Sequence, residues 1–190
     1  MKLNRHGQSE PITEDIYQKV RAKFYNQSHQ LLVDIAYFTG ERWGAILQLQ
    51  VEDVYSDPAK RVVQAEITFR ASTTKTKTTR QVPMHPHLRL RLRACEPPLQ
   101  GWLFPSGVKL GEHLTMRAAT RSLERAFKRA GLEKLGYSSH SFRRGFITDL
   151  HNKCLPIKVI QVLTGHKSLS SLGRYIEVTG EQLRNAIALR

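Results

Sequence analysis

The sequence predicts a mainly α-helical domain with one small antiparallel β-hairpin or sheet, an α+β arrangement. Three observations predict it. Apolar residues recur at helical spacing in several separate stretches, most clearly Met116, Ala119, Leu123, Phe127 and Ala130. Strand patterning is confined to one region, where Val62, Val63, Ala65, Ile67 and Phe69 are followed by a second run from Arg80 to Met84. The 190 residues contain no low-complexity tract, repeat or Pro/Gly/Ser linker, which suits a single packed core.

In chain order, Thr13 to Gln27 reads as a first helix, with Ile16, Val20 and Phe24 on one face. Residues 1–12 are expected to be a flexible terminus, and 13–190 the domain. Gln30 to Phe38 is a second helix, and Gly40 suits its C-terminal cap. A short helix runs from Trp43 to Leu49, with Asp53 in the turn after it. The two strands are joined by Ser72 to Thr79, a polar connection carrying Lys75 and Lys77, and Pro83 closes the second strand. His85 to Cys95 is a basic helix stopped by Pro97 and Pro98. Thr115 to Ala130 ends at Gly131. Ser141 to Asn152 follows, with Ser139 or Ser141 as candidate N-cap. Pro156 opens a helix that Gly165 ends. Ser168 to Tyr175 is short. Thr179, Gly180, Glu181 and Gln182 form a capping box for a last helix.

Hydrophobic residues are 40% and charged residues 24% of the chain, a folding rather than a disordered composition. Thirty Lys and Arg against sixteen Asp and Glu leave a net charge of +14. Such a field attracts polyanions, and nucleic acid is the leading partner. An anionic membrane surface is the rival, but no strongly basic helix has a Trp/Phe/Leu face. No apolar run approaches the roughly 18–20 residues that span a bilayer, and residues 1–10 lack a signal core. A cytoplasmic protein is expected. Cys95 and Cys154 have no CxxC partner, so neither a zinc site nor a disulfide framework is indicated. No cofactor is expected.

Several cationic or proton-carrying side chains stand out. Arg42 opens a helix. Lys75 sits in the hairpin connection. His140 and Arg143 form an H-x-x-R pair at a helix start. His166 follows a helix-ending glycine, and Tyr175 lies nine residues further on. Each alone has an ordinary structural reading: a solvated charge, a helix cap, a tyrosine lid over a core. Together they fit attack on a phosphodiester. Arginine is the best fixed donor to the charge that gathers on the phosphoryl oxygens. Tyrosine can form a covalent phosphoryl intermediate. Lysine or histidine can protonate the departing oxygen.

At these residues the chain resembles the tyrosine recombinase, or phage integrase, family. The resemblance rests on Thr39-Gly40-Glu41-Arg42, Thr74-Lys75-Thr76 leading to Val82-Pro83-Met84, Leu103-Phe104-Pro105, His140-Ser141-Phe142-Arg143-Arg144-Gly145, Leu163-Thr164-Gly165-His166 and Arg174-Tyr175. It runs from about Leu31 to Tyr175. It implies a site-specific recombinase that cuts and rejoins double-stranded DNA, without metal, through a 3′-phosphotyrosyl bond at Tyr175. Arg42 and Arg143 would clamp the phosphate, assisted by His140 as base or charge stabiliser. Lys75 would protonate the 5′ oxygen, and His166 would hydrogen-bond the phosphate. Lys75 is preferred to Lys77 because its distance to Pro83 better matches the family hairpin. The resemblance also implies a nucleoid-associated protein that forms a tetramer on DNA through its C-terminal helix, with Leu183, Ile187 and Ala188 as contacts. Packing of that helix on its own core is the alternative.

Two features depart from the family. The acidic residue often found three positions after the first Arg is here Ala45, so support must come from elsewhere, for example Glu41. No N-terminal DNA-binding domain precedes Thr13, so the expectation is an excised catalytic domain or a minimal form with a weaker grip on DNA. A type IB topoisomerase-like relaxing activity, or a non-catalytic DNA-binding regulatory relative, are the alternative functions.

Overall fold

The computed structural model describes residues 8–74, 77–176 and 180–188. Lys75, the Thr179 cap and the Leu189 end of the last helix lie outside the described residues. The first helix, α1 (Glu14–Arg21), starts at Thr13 and stops well short of Gln27. The next helix explains why. Asn26 caps α2 (Gln27–Thr39) by accepting from the backbone N–H groups of Ser28 and His29, so the chain must leave α1 first. Asp34 of α2, 1% exposed, is held by the Tyr17 hydroxyl and Arg21 Nε, each at 2.6 Å. Burial, then the Asp34 charge, pushes the Tyr17 phenol far above its usual value. Gly40 ends α2 at φ 61°, a left-handed turn that glycine adopts without strain.

After α3 (Trp43–Ile46) and a 3-10 turn at Val51–Asp53, two antiparallel hairpins follow. The first pairs β1 (Tyr55–Asp57) with β2 (Val62–Val63). Strands this short carry no readable alternation, so the sequence reads Val62 to Phe69 as one strand, where the structure divides that run between β2 of this hairpin and the first strand of a second. The second hairpin pairs β3 (Glu66–Phe69) with β4 (Arg80–Pro83), with Glu66 opposite Pro83 and Phe69 opposite Arg80. The helices then run α4 (Pro86–Ala94), α5 (Met116–Arg129), α6 (Ser139–Asn152), α7 (Ile157–Thr164), α8 (Leu169–Gly173) and α9 (Gly180–Ala188). The mainly helical class with a small β element is what the structure has.

Two further expectations change. The cap of α6 is Ser138, neither Ser139 nor Ser141. Ser138 Oγ accepts from the His140 N–H, while Ser141 Oγ accepts from the Ser138 N–H, a reciprocal box. The terminus expected to be flexible is docked over its described part: Ser9 and Ile12 are buried, and the segment hydrogen-bonds to the start of α6. Ile12 reaches the main core, and that burial outweighs the entropy of a free end.

The main core gathers side chains from α1 to α5, both hairpins and Phe142 of α6. A smaller core under α6, α7 and α8 joins Ile147, Ile160 and Leu172, and Tyr175 packs against it. On α9, Leu183 is 60% exposed and Ile187 76% exposed, so these two do not pack on the chain's own core. Among the described residues no helix is long and apolar enough to cross a membrane.

Candidate active site

The site is built around Arg143, a guanidinium only 1% exposed. It projects from the second turn of α6 into the gap between two helix ends. Its Nη1 donates to the Gly40 carbonyl at 3.0 Å, and its Nη2 to the Thr164 carbonyl at 2.6 Å. Gly40 caps α2 and Thr164 is the last residue of α7. Both acceptors are carbonyls without helical partners, at the negative ends of helix dipoles, which favour a cation. The two glycine turns are needed here. A Cβ on Gly40 would stand 2.4 Å from Phe146, and one on Gly165 would stand 2.9 Å from Arg80, both at positive φ.

Charge within the site is unbalanced towards positive. Glu41, 3% exposed, is the buried carboxylate. Its Oε1 accepts from the Arg42 backbone N–H at 2.7 Å and lies 3.9 Å from Arg143 Nη1, while its Oε2 pairs with Arg80. Burial lowers the Arg80 guanidinium from its usual range. Burial, then Arg42 and Arg80, does the same to Arg143, partly offset by Tyr175. Arginine keeps its proton, so three guanidinium groups, Arg42, Arg80 and Arg143, share the one Glu41 carboxylate, and a bound anion would be favoured beside them.

His166 follows from the same field. Burial first, then Arg143, Arg42, Arg80 and His140, push its imidazole down to about 3, so the ring is neutral at pH 7. The Thr164 hydroxyl has one hydrogen and donates it to the Ile160 carbonyl at 2.6 Å. The 2.7 Å contact between Thr164 Oγ1 and His166 Nδ1 therefore assigns the ring proton to Nδ1. Nε2 keeps its lone pair, and Arg143 Nη2 lies 3.3 Å from each ring nitrogen.

His140 and Tyr175 complete the group. His140 Nε2 is 3.1 Å from the Tyr175 hydroxyl across the start of α6. The Tyr175 ring lies 5.4 Å from that of His166, centroid to centroid. Its backbone is fixed by the Leu172 carbonyl and its ring by the smaller core. A cleft of about 610 Å³ opens beside this group, and Arg42, His140 and Arg143 line it together with Glu41, Met116 and Lys77. Arg42, His140, Arg143, His166 and Tyr175 thus come together from α2–α3, α6, α7 and α8. Lys75 lies outside the described residues, while Lys77 lines the cleft. Ala45 lines it too, and the nearby carboxylate comes from Glu41 instead.

Arg80 and Thr164 were not singled out from the sequence. Arg80 reads as an ordinary strand charge, and only burial beside Glu41 gives it meaning. Thr164 was visible as part of a motif, without a signal that its hydroxyl sets the imidazole tautomer.

The sequence model of the phage integrase family matches residues 11–182. The chain belongs to this family, the tyrosine recombinases. It is 27% identical over 190 residues to a tyrosine recombinase of Pseudothermotoga lettingae, a match covering 98% of this chain and 62% of the relative. It is 28% identical over 166 residues to the XerD recombinase of Caulobacter vibrioides, covering 82% of this chain and 51% of the relative. The chain thus spans about half to two thirds of the length of these relatives. In fold it is similar to the crystal structure of XerA recombinase, with a TM-score of 0.72 and 20% identity over 96% of this chain and 66% of the other. It is similar also to XerH recombinase bound to its difH substrate in a pre-cleavage complex, with a TM-score of 0.71 and 21% identity over 98% of this chain and 55% of the other.

Proposed function

We propose that this chain is the catalytic domain of a site-specific recombinase that cuts and rejoins double-stranded DNA through a covalent bond to Tyr175. The observation that carries the reading is the Tyr175 hydroxyl 3.1 Å from His140 Nε2 and beside the buried Arg143 guanidinium. Tyr175 Oη attacks the phosphorus, and the bond to the 5′ oxygen breaks. The phenolic proton passes to His140. Lys75 supplies a proton to the departing 5′ oxygen. Arg42 and Arg143 hold the non-bridging oxygens, whose charge grows in the transition state. One phosphoester is exchanged for another, so rejoining is the reverse step and needs no nucleotide.

His166 has a second role in this scheme. A bound phosphate offsets the arginine charges that, after burial, lower the ring's proton affinity, which favours a proton on Nε2 and a hydrogen bond to the phosphate. Support for duplex DNA as partner comes from the net charge of +14 and from a protein of similar fold, the Tn1549 transposon integrase, whose structure holds a circular intermediate DNA. Leu183 and Ile187, exposed on α9, are the contacts through which copies would assemble as a tetramer on DNA.

The test is covalent trapping on nicked duplexes whose cleaved strand cannot be rejoined. The wild-type chain should form a protein–DNA adduct in the presence of chelator, and Tyr175→Phe should form none. An adduct that persists in the Phe variant removes Tyr175 as nucleophile. Adducts and supercoil relaxation without exchange between paired sites would make the activity topoisomerase-like.

A further inference from the structure

We infer that the segment Ser9–Ile12 is a strap that sets the first turn of α6, and that Ser9 is a positioning residue for His140. This rests on the reading above only in giving His140 and Arg143 work to do on DNA.

The strap crosses the start of α6 with its backbone against the helix backbone. The Ser9 hydroxyl lies 2.7 Å from the hydroxyl of Ser138, the N-cap. Ser138 Oγ in turn accepts from the His140 N–H at 3.3 Å. The Ser9 carbonyl accepts from Arg144 Nη1 at 2.7 Å. The Ile12 N–H donates to the Ser141 carbonyl at 3.1 Å, and the Glu10 N–H to the Gly136 carbonyl at 3.3 Å. Ser9 is 7% and Ile12 3% exposed, so the strap's own side of these bonds is sheltered from water, while the Ser138–His140 bond lies at the surface.

Gly145 shows how close the approach is. A Cβ there would stand 2.1 Å from the Ile12 carbonyl oxygen, a backbone atom that cannot turn aside. Glycine inside a helix is less favourable than alanine, and this contact accounts for it. The run His140-Ser141-Phe142-Arg143-Arg144-Gly145 therefore divides its work. Phe142 enters the main core, Arg143 enters the site, and Arg144 and Gly145 receive the strap.

The consequence is geometric. His140 stands on α6, while Tyr175 stands on the smaller core beyond it. Their 3.1 Å contact depends on where the first turn of α6 begins. Ile12 is anchored in the main core, so the strap ties that turn to the body of the fold. Errors of about 1 Å in such placements cost rate rather than binding.

The experiment compares the full chain with Ser9→Ala and Ser9→Thr. Hydrogen exchange at the His140 amide should be about tenfold faster in Ser9→Ala, the scale of one lost hydrogen bond. Adduct formation on the nicked duplexes should slow by about tenfold while duplex affinity stays the same. Ser9→Thr keeps the hydroxyl and should restore both. Gly145→Ala should show the same direction more strongly, and loss of its cooperative melt would leave the serine pair to decide. Unchanged exchange and unchanged adduct rate in Ser9→Ala overturn the strap. If the wild-type chain forms no adduct at all, the recombinase reading fails instead, and the exchange data with the threonine rescue still judge Ser9.

Discussion

Arg143 and His166 show how far a single residue's chemistry depends on what surrounds it. The guanidinium is buried because two helix ends and one carboxylate compensate it. Glu41 is the member most exposed to simple mutation. Glu41→Gln leaves Arg80 and Arg143 buried without their counter-charge, and removing one partner of a buried ion pair costs about 3 kcal/mol or more. Denaturant unfolding should show that loss, and a midpoint unchanged from wild type would mean that Glu41 does not compensate the arginines. His166 makes a prediction about pH. Its folded value is depressed to about 3, below the ordinary unfolded value near 6.5. The unfolded chain therefore binds the extra proton first, and the stability His166 contributes is present above about pH 6.5 and declines as pH falls towards 3. His29 and His85, lowered chiefly by burial, act in the same direction. Ring NMR titration should find His166 neutral at pH 6 in the free chain and shifted upward with inorganic phosphate present. A free-chain value near 6.5 would contradict the cationic pocket.

At the scale of elements, the site is an assembly of helix ends. The α2 terminus presents Gly40, Glu41 and Arg42, the α7 terminus presents Thr164 and His166, and α6 begins with His140 and Arg143. Helix termini carry unpaired carbonyls and amides, so polar side chains can be buried there with partners available. The β3–β4 connection carries Lys75 and Lys77 in its sequence. Lys77 lines the cleft at a left-handed φ of 56°, and Lys75 is two residues away. The two can be separated by leaving-group chemistry. Lys75→Ala should slow adduct formation by about a hundredfold, within the range of general acid catalysis. A substrate with sulfur in place of the 5′ bridging oxygen needs no proton on leaving, so it should restore that rate. If Lys77→Ala rather than Lys75→Ala shows this rescue, the acid is Lys77. Among the elements, long amphipathic helices such as α5 were legible because one stripe repeats over several turns. The β1–β2 hairpin was not, since pairing over two or three residues leaves no period. Apolar spacing does not locate the α1 end, because a capping contest with Asn26 decides it.

At the scale of the whole molecule, a single copy leaves apolar surface open. Leu183 and Ile187 sit on α9 away from the chain's own core. Changing an exposed apolar residue to Asp costs little in an isolated fold. Leu183→Asp should therefore leave the melting temperature near wild type while reducing assembly on DNA. Sedimentation with and without duplex checks this, and full assembly by Leu183→Asp would show that α9 does not mediate it. The positive charge belongs to this scale as well, because a field from thirty cationic side chains reaches beyond any one contact.

The sequence by itself determined the helical class, the second hairpin, the family to which the chain belongs and the order of Arg42, His140, Arg143, His166 and Tyr175 along it. These are properties of period, turn chemistry and residue type, which are local and survive without knowledge of the fold. Only the tertiary structure decided that Arg80 and Glu41 lie with Arg143, that Thr164 sets the His166 tautomer, and that Ser9 reaches Ser138. Each of those pairs is distant in sequence or gains its meaning from burial. Burial and contact across long stretches of chain follow from how the elements pack, which no local pattern encodes.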